Sequence, residues 1–264
     1  MRPPGGAVAT LPMYDWPETK DATDKLWSYL RDSLRASGLP APDSLDRSRA
    51  PDDLWRDPML LLGQTCGLPL INGLNDFVSV VGTPAYDIDC GAGCYYSAIV
   101  VRSDTDLYDV ADLAATCLAF NARQSQSGMA ALTYQLRGLP SQPEFFTRKI
   151  ESGSHRRSIQ LVASGEADVA CIDAVSWQLA LRHEPAAKSL RVLAETEPTP
   201  GLPFICATRD DWSVDRIHLA VVEAMAAVDQ ETCDRLLLAG FAQTGLSNYQ
   251  IIGERLRQTA DLVP

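Results

Sequence analysis

Apolar residues in this chain fall in short runs separated by amphipathic stretches. Ala7–Met13, Met59–Leu62, Phe77–Val81 running on to Tyr86, Ser97–Arg102, Cys117–Phe120, Phe145–Ile150, Asp168–Asp173, Leu190–Leu193 and Pro203–Ala207 read as strands, several of them buried on both faces. Thr19–Ala36 places Leu26, Trp27, Leu30 and Leu34 at helical spacing and stops at Gly38. Asp52–Arg56 reads as a helical turn and Asp109–Ala115 as a short helix. The polar run Glu151–Ser158 enters a helix that ends at Gly165, and Val175–Arg182 is helical. Val214–Val228, Glu231–Gly240 and Tyr249–Leu262 are predicted as closing helices.

Strands that alternate with helices predict an α/β chain with a mainly parallel sheet, or two of them. Ligands of such sheets sit beyond the carboxyl ends of the strands. Polar residues gather at those ends here. Tyr14 and Asp15 follow the first strand, Gln64 and Thr65 the second, and Ser154 and His155 precede a helix. Asp173 closes the run Asp168–Asp173. The richest such stretch is Asn121–Gly128, where Ser125, Gln126, Ser127 and Gly128 stand between the strand Cys117–Phe120 and the helical run from Met129. A helix start leaves backbone N–H groups without intrahelical partners and carries partial positive charge, so hydroxyls beside it make an anion site. The plainer reading is an ordinary N-cap on Ser125 or Ser127, and likewise on Asp173.

At 264 residues the chain exceeds what one core usually organises, and 46% hydrophobic residues supply ample core material. The formal charge of −11 argues against nucleic acid and anionic membrane as partners, while leaving room for a small anion in a pocket of opposite local field. No apolar run approaches a membrane span. The first residues lack the pattern of a secretion signal, which predicts a cytoplasmic protein as written, or a periplasmic one if its start was trimmed. The odd count of seven scattered cysteines argues against a dense disulfide framework. Cys90 and Cys94 share a Gly-rich loop where a zinc site lacks two further ligands, and pairing of Cys66 with Cys90 or Cys94 is left open. No metal and no cofactor are expected.

The stretches LPMYDWPE (11–18), LLLGQTCG (60–67), SAIVVR (97–102), SQSG (125–128), SGSHR (152–156) and SGEADVACIDA (164–174) together resemble the phosphonate-binding members of the type II periplasmic solute-binding proteins, from about Leu11 to Thr208. The resemblance implies two Rossmann-like lobes joined by two crossing strands. Lobe 1 would take residues 1–90 and 200–264 with both chain ends, lobe 2 residues 103–193, and the hinge strands residues 91–102 and 194–199. It implies that Ser125, Gln126, Ser127 and Gly128 hold the ligand oxygens and that His155, as an imidazolium, adds a charged donor. Tyr14, Gln64 and Thr65 would line the opposite wall, and Asp173 would meet a ligand amine. Two departures stand out. Gln126 occupies the position of a second serine or threonine, and Asp15 and the GQTCG loop replace an aromatic-rich wall.

The implied function is a monomeric receptor for a small oxyanion, a phosphonate or phosphate ester, serving ABC-type uptake through a permease, or sensing. The competing reading is an enzyme or a cytoplasmic regulatory module on the same fold, acting on a small anionic or pyrimidine-like ligand. The chain shows no P-loop, no His-Glu-x-x-His, no Gly-x-Ser-x-Gly and no dinucleotide fingerprint. A Cys/His or Ser/His pair formed in space remains available, for example Ser127 with His155, with Asp173 as the candidate orienting acid.

Overall fold

A computed structural model describes residues 6–139 and 145–259. In chain order the elements are β1 (Val8–Thr10), α1 (Lys20–Ala36), α2 (Pro51–Trp55), β2 (Leu60–Gln64), α3 (Gly67–Ile71), β3 (Val78–Tyr86), β4 (Cys94–Tyr95), β5 (Ser97–Arg102) and β6 (Cys117–Phe120). Then come α4 (Ala131–Gln135), β7 (Arg148–Glu151), α5 (His155–Ser164), β8 (Val169–Asp173), α6 (Ala174–His183), β9 (Leu190–Glu195), β10 (Thr199–Pro200) and β11 (Phe204–Ala207). The chain closes with α7 (Val214–Ala227), α8 (Gln230–Leu236), β12 (Leu238–Ala242) and α9 (Gln250–Gln258). Residues 260–262 of the expected last helix lie outside the described residues. Among the described residues no helix is long and apolar enough to cross a membrane.

The chain divides into two compact units, one of residues 1–94 and 200–250 and the other of residues 95–199 and 251–264. The first unit holds a five-stranded sheet in the order β1-β2-β11-β3-β12. Leu60, Leu61 and Leu62 of β2 are fully buried there, each contributing roughly 1.5–3 kcal/mol of transfer free energy. Leu26, Trp27, Leu30 and Leu34 form the buried stripe of α1, as their spacing predicts. The second unit holds a five-stranded sheet in the order β7-β6-β8-β5-β9. Leu118 and Phe120 of β6, Val169 and Cys171 of β8, and Ile99 and Val101 of β5 make its core, and Leu132 and Leu136 press on it from the α4 side.

The sheets differ from the mainly parallel arrangement that alternation predicts. β1 and β2 are parallel, as are β6 with β7 and β6 with β8. β11 runs antiparallel to both β2 and β3, β12 antiparallel to β3, and β5 antiparallel to both β8 and β9. β5 and β11 are the first long strands after each passage of the chain from one unit to the other. Parallel neighbours need a crossover connection within one sheet, and a strand arriving from another unit is not bound to that direction. For the same reason the span 91–102, expected as hinge, is largely β5, a full sheet strand. The passages fall at residues 94–95 and 199–200, inside β4 and β10, which pair in a two-stranded ladder.

Two further expectations change. Glu231–Gly240 is not one helix: α8 ends at Leu236, Leu237 takes a left-handed φ of 58°, and β12 begins. The described chain end from Ile251 belongs to the second unit and not with residues 1–90. Arg255 anchors it there, donating to the Glu197 carboxylate at 3.2 Å and lying 4.7 Å above the Tyr134 ring.

Candidate functional site

In the second unit, β6 delivers the chain at Phe120 into a polar loop whose far end is the start of a helical segment. Ser125 caps that segment, its hydroxyl accepting the Gly128 N–H at 3.0 Å. The first turn, Gln126–Ala130, is π-helical before it tightens into α4, a wide turn of a kind frequent at functional sites. Gly128 is required here. A Cβ on it would lie 2.0 Å from the Asn121 Oδ1, so the side chain of the first residue after β6 fills the space that any other residue would need.

The neighbouring strand and helix complete the cluster. Ser154 caps α5 by accepting the Arg157 N–H, which sets His155 at the first helical position. Its Nε2 lies 2.9 Å from the Ser127 Oγ and 3.3 Å from the Asp173 Oδ2. Asp173 ends β8 and caps α6, its Oδ1 accepting the Ser176 N–H at 2.9 Å. Ser125 and Ser127 have their hydroxyl oxygens 3.4 Å apart. Ser125, Gln126, Ser127 and Asp173 are all at most 5% exposed. Six of the nine expected site residues therefore stand together at the carboxyl ends of β6, β7 and β8. The cap reading and the cluster reading hold at once for Ser125 and Asp173.

The charge state departs from expectation. Burial pushes the His155 imidazole below its usual value, and the Asp173 carboxylate opposes this without overcoming it. Burial therefore favours the neutral ring over the imidazolium expected from its place near an anion. The carboxylate at Nε2 keeps the ring proton on that nitrogen, so Nε2–H faces two oxygens, Asp173 Oδ2 and Ser127 Oγ. The Ser127 hydroxyl proton can then point outward. Cys171, beside Asp173 on β8, is held as a thiol, burial pushing it up to about 12.

Tyr14, Gln64 and Thr65 stand in the first unit. Gln64 donates its amide to the Tyr86 hydroxyl at 3.1 Å and to the Leu202 carbonyl at 3.3 Å. Tyr14 packs edge-on against Tyr86, ring centroids 5.1 Å apart. Tyr14, Gln64, Tyr86 and Thr23, with Leu11 and Leu26 among the apolar walls, line a cavity of about 30 Å³. Thr65 is fully buried, its N–H on the Pro203 carbonyl at 3.1 Å and its hydroxyl on the Cys66 carbonyl at 3.4 Å. Asp15, next to Tyr14, accepts through both carboxylate oxygens from the Nε and Nη2 of Arg47. Sequence reasoning missed Asn121 and Tyr86. Asn121 carried a usable signal, being a polar residue directly after a buried strand. Tyr86 carried none, since its role depends on the register of β3.

The model of the periplasmic substrate-binding proteins of phosphonate ABC transporters matches residues 72–250. The chain belongs to this family. Its members are substrate-binding proteins and not enzymes, which agrees with the cluster's geometry. An acid that orients a catalytic histidine holds the nitrogen opposite the nucleophile, whereas Asp173 and Ser127 share Nε2. No curated protein matches the chain. Among solved structures, PhnD1 from Prochlorococcus marinus in complex with methylphosphonate is 17% identical over 97% of this chain and 98% of its own, with a TM-score of 0.74. A binding-protein component of an ABC phosphonate transporter from Pseudomonas aeruginosa is 15% identical over 97% of this chain and 87% of its own, with a TM-score of 0.70. A Xanthomonas citri protein bound to ATP is 15% identical over 98% of this chain and all of its own, with a TM-score of 0.72. These likenesses show the fold, the two-lobed α/β architecture of the family.

Proposed function

We propose that this phosphonate-family binding protein holds the oxyanion of a phosphonate or phosphate ester in the second unit, at Ser125, Gln126, Ser127, Gly128 and His155. The observation that carries the assignment is the buried contact of Ser127, His155 and Asp173 at the carboxyl ends of β6, β7 and β8, where open α/β sheets place their ligands. The Ser127 hydroxyl and the N–H groups of the first helical turn supply donors, and burial strengthens each of them. Tyr14, Gln64 and Thr65 are assigned to ligand contact in the first unit. The two passages at residues 94–95 and 199–200 are where a hinge belongs. The protein acts as a monomer and delivers its ligand to an ABC permease in the periplasm.

Calorimetric titration with methylphosphonate, phosphate and ATP tests the reading, with ATP included because the Xanthomonas citri neighbour holds it. One of these binds, and Ser127→Ala weakens it by about 1.5–3 kcal/mol, the range for a hydrogen bond to a charged group. Unchanged affinity in Ser127→Ala would remove the site from the second unit.

A further inference from the structure

Three buried polar atoms on residues of this cluster have no hydrogen-bond partner: Asn121 Oδ1, Gln126 Oε1 and His155 Nδ1. Gln126 is 2% exposed and directly precedes Ser127. The Asn121 oxygen lies against the Gly128 Cα, a position where a Cα–H favours the oxygen end of the amide over its NH2. Because the Asp173 carboxylate keeps the ring proton on Nε2, the Nδ1 of His155 is a bare lone pair. All three are acceptors, and a buried acceptor left unsatisfied destabilises the site.

The charge that faces the cluster is negative, and the nearby arginines are directed to other partners. Asp173 faces His155 from β8. Cys171 on that strand is a neutral thiol hydrogen-bonded to Ser97 of β5. On α5, Arg156 is turned to Glu184 and Arg157 toward Gln160. After β6, Arg123 is largely exposed and 3.9 Å from Glu151 of β7. The charged group that directly meets the cluster through His155 is the Asp173 carboxylate. An oxyanion held at Ser127 therefore meets a negative charge alongside its donors.

We propose that this site takes the singly ionised, proton-bearing form of its oxyanion, a phosphonate or phosphate with one P–OH, and discriminates against fully ionised tetrahedral anions such as sulfate. The single acid proton of the ligand gives the Asp173 carboxylate a hydrogen bond in place of a repulsive contact, and one negative charge in place of two halves the remaining repulsion. The proposal rests on the oxyanion assignment above and names the ionic form that site selects.

The test is calorimetric titration of the full chain with methylphosphonate and with sulfate, from about pH 7 upward, where a lowered imidazole stays neutral. The expected affinity for methylphosphonate is level below the ligand's second pKa and falls roughly tenfold per pH unit above it, and sulfate does not compete. Asp173→Asn removes the charge and keeps a residue able to cap α6. In that variant sulfate binding appears and the pH profile flattens. Affinity that rises as the dianion forms, sulfate binding equal to methylphosphonate, or an Asp173→Asn profile identical to the parent overturns the inference while leaving the oxyanion site intact. If the variant does not fold, the parent's pH profile and sulfate arm decide by themselves. Absence of binding to methylphosphonate and phosphate at every pH removes the oxyanion assignment and this inference with it.

Discussion

Gly128 shows how a single residue is chosen by its neighbour. The amide of Asn121 occupies the space of its absent Cβ, so Gly128→Ala forces that short side chain away from the helix start. The expected result is a loss of about 1–3 kcal/mol in stability, the usual range for overpacking, together with weaker oxyanion binding. The double variant Asn121→Ala/Gly128→Ala recovers most of the stability, and strict additivity in that cycle would show that the two residues do not compete for space. His155 makes a second prediction. Its folded-state pKa lies below the ordinary histidine value because of burial. Above the ordinary value both folded and unfolded chains hold a neutral ring. As pH falls through it, the unfolded chain binds the proton first and stability drops. Thermal melts between about pH 7.5 and pH 5 therefore show a declining midpoint, and His155→Gln makes the decline shallower. Equal slopes in parent and variant would assign the decline to other groups.

Caps decide where the site's helices begin. Ser154 starts α5 and so places His155, and its hydroxyl accepts the Arg157 N–H at 3.1 Å. Ser154→Ala costs about 1 kcal/mol, and Ser154→Asp restores it, as chemical denaturation will report. These starts were legible because Ser, Asp and Gly carry their backbone preferences with them. The π-helical first turn was not, since no residue type marks a wider turn. The end of α8 was also hidden. Leu237 adopts a left-handed conformation where glycine would have signalled a stop, and its flanking leucines continue an apolar run that suits helix and strand alike. β12 exists because that run finds β3 to pair with.

At the scale of the molecule, the chain end joins the second unit through Arg255, which is largely buried and binds Glu197 by carbonyl and carboxylate while covering Tyr134. Arg137 reaches the same carboxylate at 2.8 Å and the same ring at 3.6 Å. Arg255→Ala is expected to raise amide exchange in α9 roughly tenfold, about 1.4 kcal/mol of local stability, without change in the sheet of the first unit. Protection that falls equally in both sheets would mean that the contact supports the whole chain and not one unit.

What the amino-acid order determined by itself was local: short buried strands, the amphipathic stripe of α1, the helix starts at Ser125 and Ser154, and a set of polar residues collected at strand ends. These follow from side-chain period and capping chemistry, which act over a few residues. The tertiary structure decided the rest. It set the reversed direction of β5, β11 and β12, gave the last helix to the second unit, and chose Asn121 as the neighbour of Gly128. It also lowered the His155 pKa, because desolvation depends on what surrounds the ring and not on which residues flank it. Each of these outcomes joins residues far apart in sequence, and no local period or propensity encodes which distant partner will arrive.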